Sequence, residues 1–214
     1  MSAEILSNLK KALRDYDQEG CIVWAQKAVA EGVDPLKATE ALMEVMQEVG
    51  DGFTRGDFFL PDLIAAGSTM TAATSILNAE IKKRGLQRRS MGTVVIGTVF
   101  GDIHSIGKDM VGTLLAAAGF TVHDLGIDVK AEQFITAVRQ HQPDILAMSA
   151  LLTTTAREQK VVIEALKKEG LREKVKVMVG GGAIDQTFAN SIGADGYAPT
   201  APEGIVLAKS LSGK

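Results

Sequence analysis

The sequence GDIHSIG, residues 101–107, separates two contrasting patterns in the second half of this chain. Residues 93–100, directly before it, form an apolar run rich in valine and isoleucine that is typical of a buried strand. Residues 108–118, directly after it, have a pattern that favours a helix. A strand, a polar glycine-containing loop and a helix in this order predict the first unit of an α/β domain.

The same alternation of strand and helix continues to the end of the chain. Four further apolar runs are each followed by a helical pattern, which gives five β–α units in all. The expected strands are residues 93–100, 121–125, 145–149, 175–179 and 196–197, and the expected helices are residues 108–118, 129–139, 156–169, 183–191 and 202–211. This alternation predicts a Rossmann-like, five-stranded parallel sheet with helices on both faces and the flavodoxin-like strand order 2-1-3-4-5.

Polar and small residues follow four of the five expected strands. Strand one ends in residues 101–107, strand three in 149–155, strand four in 180–182 and strand five in 197–201. In sheets of this order, ligands bind beyond the carboxyl ends of the strands, near the switch between strands one and three. We therefore expect a binding rim that combines a histidine, an aspartate, hydroxyl groups and bare glycine backbone.

The N-terminal half has a different texture and predicts a small bundle of four helices. It is rich in alanine, leucine, glutamate, lysine and methionine, which favour helix. The expected helices begin near residues 3, 21, 34 and 60, with Asp34 and Pro35 as the start signal of the third. The basic, polar tract 82–90 is expected to be a linker, so that the helical domain spans residues 1–89 and the α/β domain residues 90–214.

Composition excludes several classes of protein. The net charge is −3 and neither half is basic, which gives no reason to expect nucleic-acid binding. The single cysteine, Cys21, excludes an internal disulfide and a cysteine-cluster metal site. No apolar run reaches the roughly 20 residues of a membrane span, and the N-terminus lacks the pattern of a signal peptide. A cytoplasmic protein with no membrane partner is expected.

The chemistry of the rim depends first on Asp102 and His104. A carboxylate that accepts from one ring nitrogen fixes the tautomer and leaves the other nitrogen with a free lone pair. That arrangement suits either a metal ligand or a general base. Since the rim offers no second histidine, cysteine or carboxylate cluster, a metal that needs only one protein ligand, as in a haem-like or corrin macrocycle, is favoured over free zinc or iron.

The other rim residues allow close contact but discriminate less. Gly180, Gly181 and Gly182 would let backbone approach a phosphate or a ribose. Ser149, at a strand end, is expected to contact a ligand, whereas Thr154 and Thr155 are expected to cap the following helix.

Nucleotide-binding classes fit the sequence poorly. Neither a G-x-G-x-x-G fingerprint nor a P-loop is present. Ser149 stands where a phospho-acceptor receiver domain would carry an aspartate.

Three motifs together resemble a known family. Asp102-x-His104-x-x-Gly107, Ser149-x-Leu151 and Gly180-Gly181 are similar to the signature of the B12-binding domain. That domain occurs in methionine synthase, in the methylmalonyl-CoA and glutamate mutases, and in the corrinoid proteins of methyltransferase systems. The stretch 49–61, with its Phe-Phe-Leu-Pro ending, resembles the helical cap module of methionine synthase and of those corrinoid proteins.

The resemblance implies a role for each matching residue. His104 would coordinate cobalt from below in place of the cofactor's own base, the base-off, His-on form, and Asp102 would hold the His104 ring. Phe53 and Leu60 would cover the upper, methyl-bearing face. The remaining residues expected to bind the cobalamin or related corrinoid, including its nucleotide tail, are Gly101, Ile103, Ser105, Ile106, Gly107, Ser149, Leu151, Thr153, Gly180, Gly181, Gly182 and Ala201.

The resemblance also implies a function. The chain would be the corrinoid carrier of a multi-component methyltransferase, a subunit with no complete reaction of its own. Cobalt(I) would accept a methyl group from a donor methyltransferase, and methylcobalt(III) would pass it to an acceptor methyltransferase acting on tetrahydrofolate or a thiol. A reductive activator protein is the third expected partner. The alternatives are a B12-dependent sensor or regulator and the small subunit of a radical mutase. The sequence does not name the methyl donor.

Overall fold

The computed structural model describes residues 2–86 and 90–213, which fall in two compact units, Met1–Arg89 and Ser90–Lys214. Part of the expected linker, residues 87–89, lies outside the described residues. Its first two residues, Lys82 and Lys83, belong instead to the last turn of a helix. None of the described helices is both long enough and apolar enough to cross a bilayer.

The first unit consists, in its described part, of the four expected helices. They are α1 (Ser2–Arg14), α2 (Gln18–Ala30), α3 (Pro35–Arg55) and α4 (Leu60–Lys83). Helix α2 begins three residues before its predicted start because the Asp17 side chain accepts a hydrogen bond from the Gly20 amide. Asp34 caps α3 as predicted, through the Leu36 amide.

The turn between α3 and α4 decides which of its phenylalanines faces outward. Gly56, with φ +84°, ends α3 in the left-handed conformation that glycine adopts most readily. The ring of Phe58 packs on Gly52, where a Cβ atom would lie 2.2 Å from the ring. Phe59, by contrast, is 69% exposed, and Phe53 and Leu60 are half-buried.

The second unit alternates strand and helix as expected. Its elements are β1 (Thr93–Thr98), α5 (Ile106–Ala117), β2 (Thr121–Asp124), α6 (Ala131–His141), β3 (Ile145–Ser149), α7 (Thr153–Lys168), β4 (Lys176–Gly180), α8 (Gln186–Ile192), β5 (Gly196–Tyr197) and α9 (Ala201–Ser212). The strand pairs are all parallel and their order is β2-β1-β3-β4-β5. The predicted helical and Rossmann-like fold class is therefore confirmed.

Several predicted boundaries at the rim are wrong by two or three residues, and two of them, the end of β1 and the start of α7, bear on the site. β1 ends at Thr98 rather than at residue 100, because the chain turns at Gly101, which has φ +76°. Helix α7 begins at Thr153 rather than at residue 156, and its N-cap is Leu152. Thr154 and Thr155 therefore lie inside the first turn of α7 and do not cap it.

The two faces of the sheet are covered differently. On one face α6 and α7 pack over a large core that includes Phe134, Leu146 and Ile163. On the other face α5 and α9 cover a smaller apolar cluster, in which Ile96 and Met178 take part.

At the carboxyl end of that second face, the apolar cluster gives way to small and hydroxyl-bearing residues. Thr98 pairs with Ser149, and Ser149 pairs with Gly180, so the three form one row across β1, β3 and β4. Each lies two residues beyond a member of the α5/α9 cluster and therefore on the same face. We call these three residues the polar row.

Candidate functional site

The loop between β1 and α5 is organised around the Asp102 carboxylate, which is 1% exposed. Its Oδ1 atom accepts from the His104 backbone amide at 3.0 Å and lies 2.8 Å from His104 Nδ1. Its Oδ2 atom accepts from the Leu151 amide at 2.8 Å and from the Thr155 hydroxyl at 2.6 Å. Both oxygens of a buried charge are thus satisfied, which is the condition for keeping it ionised.

These contacts set the protonation of Asp102. Burial alone would raise the pKa of this carboxyl, but the hydrogen bonds from the Thr155 hydroxyl, the His104 amide and ring, and the Leu151 amide outweigh burial and hold the pKa well below its usual range. The carboxylate is therefore an acceptor at neutral pH. In the neutral imidazole, His104 Nδ1 then carries the proton and Nε2 keeps its lone pair.

The His104 ring is available to a ligand. Its side chain is 47% exposed, although its partner Asp102 is buried. The Thr98 hydroxyl donates to the His104 carbonyl at 3.0 Å and anchors the backbone as well. Over residues 2–86 and 90–213, no group of three or more His, Cys, Asp or Glu side chains could hold a metal ion. His104 therefore presents one directed nitrogen and not a complete metal site.

Thr155 was missed as a site residue by the sequence analysis. Its hydroxyl lies 3.0 Å from the Leu152 carbonyl oxygen and 2.6 Å from Asp102 Oδ2. The carboxylate oxygen is nearer and charged, so the hydroxyl donates its single proton mainly to Asp102. Asp102 and Thr155 are 53 positions apart, so only the fold brings them together. The sequence offered one signal for this role: Thr155 carries a hydroxyl in the first turn of a helix that directly follows a strand.

Thr155→Val tests this bond. The variant loses a hydroxyl that stabilises a buried carboxylate, so its unfolding free energy at pH 7 should fall by about 1.5–3 kcal/mol. The difference from wild type should shrink as the pH falls through the range in which Asp102 becomes protonated. Thr154→Val, at an exposed neighbouring position, is the control. Equal stability of the two variants in urea titrations would contradict the assignment.

Exposed apolar side chains lie at the same end of the sheet as His104. Eight large apolar side chains in the described part of the second unit are exposed, and two of them, Val161 and Val206, lie within helices α7 and α9. The other six are at the carboxyl ends of the strands and are here called the apolar platform: Phe100, Ile103, Ile106, Ile127, Leu151 and Leu152. Ile103, Ile106 and Leu151 were predicted site residues. Phe100, Ile127 and Leu152 were not, since an apolar residue near a strand end reads as core.

The three consecutive glycines have a reason within the protein itself. A Cβ atom on Gly181, which has φ +125°, would lie 1.8 Å from the Ala150 carbonyl oxygen. A Cβ atom on Gly182 would lie 2.8 Å from Leu151 Cδ1. The loop after β4 therefore packs directly on the loop after β3, Gly181 on backbone and Gly182 on a side chain. At these two positions glycine is needed for the packing of the loops.

The remaining predicted residues lie around the same end of the sheet. Ser105 precedes α5 and its carbonyl accepts from the Asp109 amide at 2.8 Å. Thr153 is exposed at the start of α7, and a Cβ atom on Gly107 in α5 would meet nothing within 4 Å. Ala201 is half-buried at the start of α9.

The other two histidines are not at the rim. His123 lies in β2 and His141 ends α6, and their rings stack with centroids 3.7 Å apart. Burial, and then the charge of His141, lower the pKa of His123. Their pairing explains them without a role in the site.

Comparison with known proteins agrees with this geometry. A family model described as "B12 binding domain" matches residues 92–206, and a second of the same description matches residues 5–78. Trimethylamine corrinoid protein 1 of Methanosarcina acetivorans is 44% identical over 209 residues, which cover 97% of each chain. The chain belongs to the family of methyltransferase corrinoid proteins.

Other relatives match along 80% or more of their length. A corrinoid protein of Desulfitobacterium hafniense is 42% identical over 100% of both chains. The crystal structure of the methanol:cobalamin methyltransferase complex of Methanosarcina barkeri gives a TM-score of 0.87 at 31% identity, covering 98% of this chain and 80% of that one. A cobalamin-binding protein of D. hafniense gives 0.67 at 32% identity, covering 96% and 98%.

Proposed function

We propose that this protein carries a methyl group on a corrinoid whose cobalt is coordinated from below by His104, with the nucleotide base displaced. One observation carries the proposal: a half-exposed imidazole whose Nδ1 atom lies 2.8 Å from a buried, fully hydrogen-bonded carboxylate. When bound, the corrinoid supplies the cobalt that accepts and releases the methyl group. The protein supplies the axial nitrogen and the surroundings.

The donor set fits a macrocyclic metal. A corrin provides the equatorial nitrogens itself, so the protein needs to add only one ligand. His104 is such a ligand, because Asp102 fixes its tautomer. Free zinc or iron fits this site poorly, because such an ion needs several protein ligands and the described residues contain no cluster that could supply them.

The apolar platform fits the face of the macrocycle. Its exposed side chains lie at the same end of the sheet as His104, and burying them under the face of the macrocycle would release about 25 cal/mol for each Å² of apolar surface covered. Ile103 is in the loop that carries His104, residues 101–107, here called the ligand loop. It is 70% exposed, the largest exposed fraction of the six.

The polar row fits the displaced nucleotide tail. Thr98, Ser149 and Gly180 leave little side-chain bulk on the α5/α9 face at the rim, and the open position at Gly107 adds space. We place the tail here, between the sheet and these helices, with Leu151, Thr153, Gly181, Gly182 and Ala201 at its edges.

The helical unit would protect the upper face. Phe53, in α3, and Leu60, which opens α4, are only half-buried and lie on either side of the same turn. Their partial burial supports a role in covering the methyl group, which must be shielded from water and then uncovered for each partner.

The relatives favour a methylated amine as the donor. Several are named trimethylamine or dimethylamine corrinoid proteins, at 41–44% identity, and the matched complex is a methanol methyltransferase. We propose that this chain takes its methyl group from a methyltransferase that acts on a methylated amine and delivers it to an acceptor methyltransferase. A reductive activator would restore cobalt(I). Neither the sensor nor the mutase alternative has support among these relatives.

A methylation assay tests the carrier role. The protein is loaded with cobalamin, reduced to cobalt(I), and incubated with methyltransferases and trimethylamine, dimethylamine or methanol. One combination of methyltransferase and methyl donor should change the cobalt(I) spectrum to that of methylcobalt(III), with about one methyl group transferred per bound cobalt. If the protein takes up cobalamin but no combination methylates it, the proposal of these donors is refuted while cofactor binding stands. If the protein takes up no cobalamin, the whole proposal is refuted.

A further inference from the structure

The turn between β2 and α6 touches the His104 loop from the side opposite Thr155. Asp128, in this turn, accepts a hydrogen bond from the Gly101 amide through Oδ1 at 2.7 Å. Its own amide donates to the Asp102 carbonyl at 3.0 Å. One residue thus binds the backbone on both sides of the peptide that leads to the ligand loop.

Asp128 adopts an uncommon backbone conformation to make both bonds. Its φ is +55°, in the left-handed region that few residues other than glycine occupy. Aspartate and asparagine tolerate this region best, because their short side chains bond to nearby backbone. Such strain is retained where the surrounding structure depends on it.

Further bonds tie the same turn to the end of β1. The Thr98 amide donates to the Gly126 carbonyl and the Val129 amide donates to the Thr98 carbonyl, each at 3.0 Å. Val99 and Val129 form a parallel bridge. The turn therefore continues the pairing with β1 to the point where the ligand loop begins.

The opposite end of the ligand loop is bound to the same turn through an ion pair. Asp124 Oδ1 accepts from the Gly126 amide at 2.8 Å, and its Oδ2 pairs with Lys108, a nearly fully buried lysine in the first turn of α5. Residues 101–108 are thus held at both ends by residues 124–129.

We infer that Asp128 is a positioning residue that fixes the backbone of the His104 loop, and thereby the direction in which the ring nitrogen faces. Asp102 holds the ring itself, and Asp128 holds the peptide from which Asp102 projects. The consequence for cobalt rests on the proposed function above, but the positioning is a property of the protein without cofactor.

Three substitutions separate the bond from the backbone conformation. Asp128→Asn keeps both the acceptor oxygen and the tolerance of positive φ. Asp128→Gly keeps the conformation and removes the acceptor, and Asp128→Ala removes both. Asp144→Ala is the matched control, because the Asp144 carboxylate accepts from the Thr93 amide, also at 2.7 Å, at the other end of β1.

Hydrogen exchange and NMR of the cofactor-free protein give the first measurement. The Gly101 amide should exchange about tenfold faster in Asp128→Gly than in wild type, and the His104 ring resonances should shift. Asp128→Asn should restore both to near the wild-type values, and Asp144→Ala should change neither. Unchanged exchange in Asp128→Gly, or no rescue by Asp128→Asn, would overturn the inference.

Spectra after cobalamin loading give the second measurement. Asp128→Gly should show a mixture of histidine-bound and histidine-free cobalt(II), whereas Asp128→Asn and Asp144→Ala should be uniform. If wild-type protein takes up no cobalamin, the proposed function fails, while the exchange data on the free protein still decide the positioning role. A uniform wild-type spectrum in Asp128→Gly would overturn its consequence for the ligand.

Discussion

Asp102→Asn is expected to lower the unfolding free energy at pH 7 by about 2–5 kcal/mol, since each buried donor left without an acceptor costs about 1–3 kcal/mol. An amide offers one acceptor oxygen where the carboxylate has two, and its NH₂ group would face donors: either the His104 amide and ring, or the Leu151 amide and Thr155 hydroxyl. Either orientation loosens the His104 ring or the β3 loop that holds it.

The pH dependence distinguishes this loss from a general defect. In wild type the pKa of Asp102 is lower in the folded than in the unfolded state, so its contribution to stability is full above the unfolded pKa, about 3.9, and is lost as the pH falls through the folded value. Asp102→Asn has no such contribution to lose. Its stability should therefore approach that of wild type as the solution is acidified.

Asp185→Asn is the control for a change of carboxylate to amide. Asp185 caps α8 by accepting from the Phe188 amide at 2.6 Å, a task that asparagine performs as well. Urea titrations from pH 7 down to about pH 2, so that they extend well below the unfolded pKa of an aspartate, should show little effect of this control. A constant difference between Asp102→Asn and wild type at every pH would contradict the account of the Asp102 hydrogen bonds.

Gly181→Ala is expected to have the largest effect on the fold. The new Cβ would lie 1.8 Å from the Ala150 carbonyl oxygen, which is backbone and cannot swing aside, and φ is +125°. Relief requires the loops after β3 and β4 to separate, and the β3 loop carries the Leu151 amide that binds Asp102. We expect a loss of more than about 3 kcal/mol, or failure to fold.

Gly170→Ala separates the clash from the backbone conformation. Gly170 also has positive φ, +66°, but a Cβ there would meet nothing within 4 Å, so only the conformational strain of about 1–2 kcal/mol remains. Denaturant titration of both variants measures the difference. A Gly181→Ala protein as stable as Gly170→Ala would show that the loops are not packed as described.

The strand order could be predicted because it follows from alternation along the sequence. Five apolar runs separated by helical patterns admit few topologies, and right-handed parallel connections reduce them further. The boundaries of β1 and α7 could not be predicted, since the chain leaves β1 at Thr98 and enters α7 at Thr153 through contacts made only in the folded protein.

The candidate site was predictable where its chemistry is local and not where it is tertiary. Asp102 and His104 are two residues apart, so their pairing could be inferred from spacing. Thr155 is 53 positions from Asp102 in the sequence, so their contact could not be inferred from spacing. The left-handed conformation of Asp128 could not be predicted either, because most aspartates do not adopt it. The glycines at 180–182 drew attention to a ligand, whereas the structure gives Gly181 a packing role.

Paramagnetic resonance of cobalt(II) tests the central claim most directly. Protein labelled with ¹⁵N-histidine is loaded with unlabelled cob(II)alamin, in which the unpaired electron lies along the axis toward the lower ligand. If His104 is that ligand, each cobalt line should split into a doublet from one ¹⁵N nucleus, and His104→Ala should abolish the doublet. A triplet from the ¹⁴N of the cofactor's own base, unchanged in His104→Ala, would contradict the account.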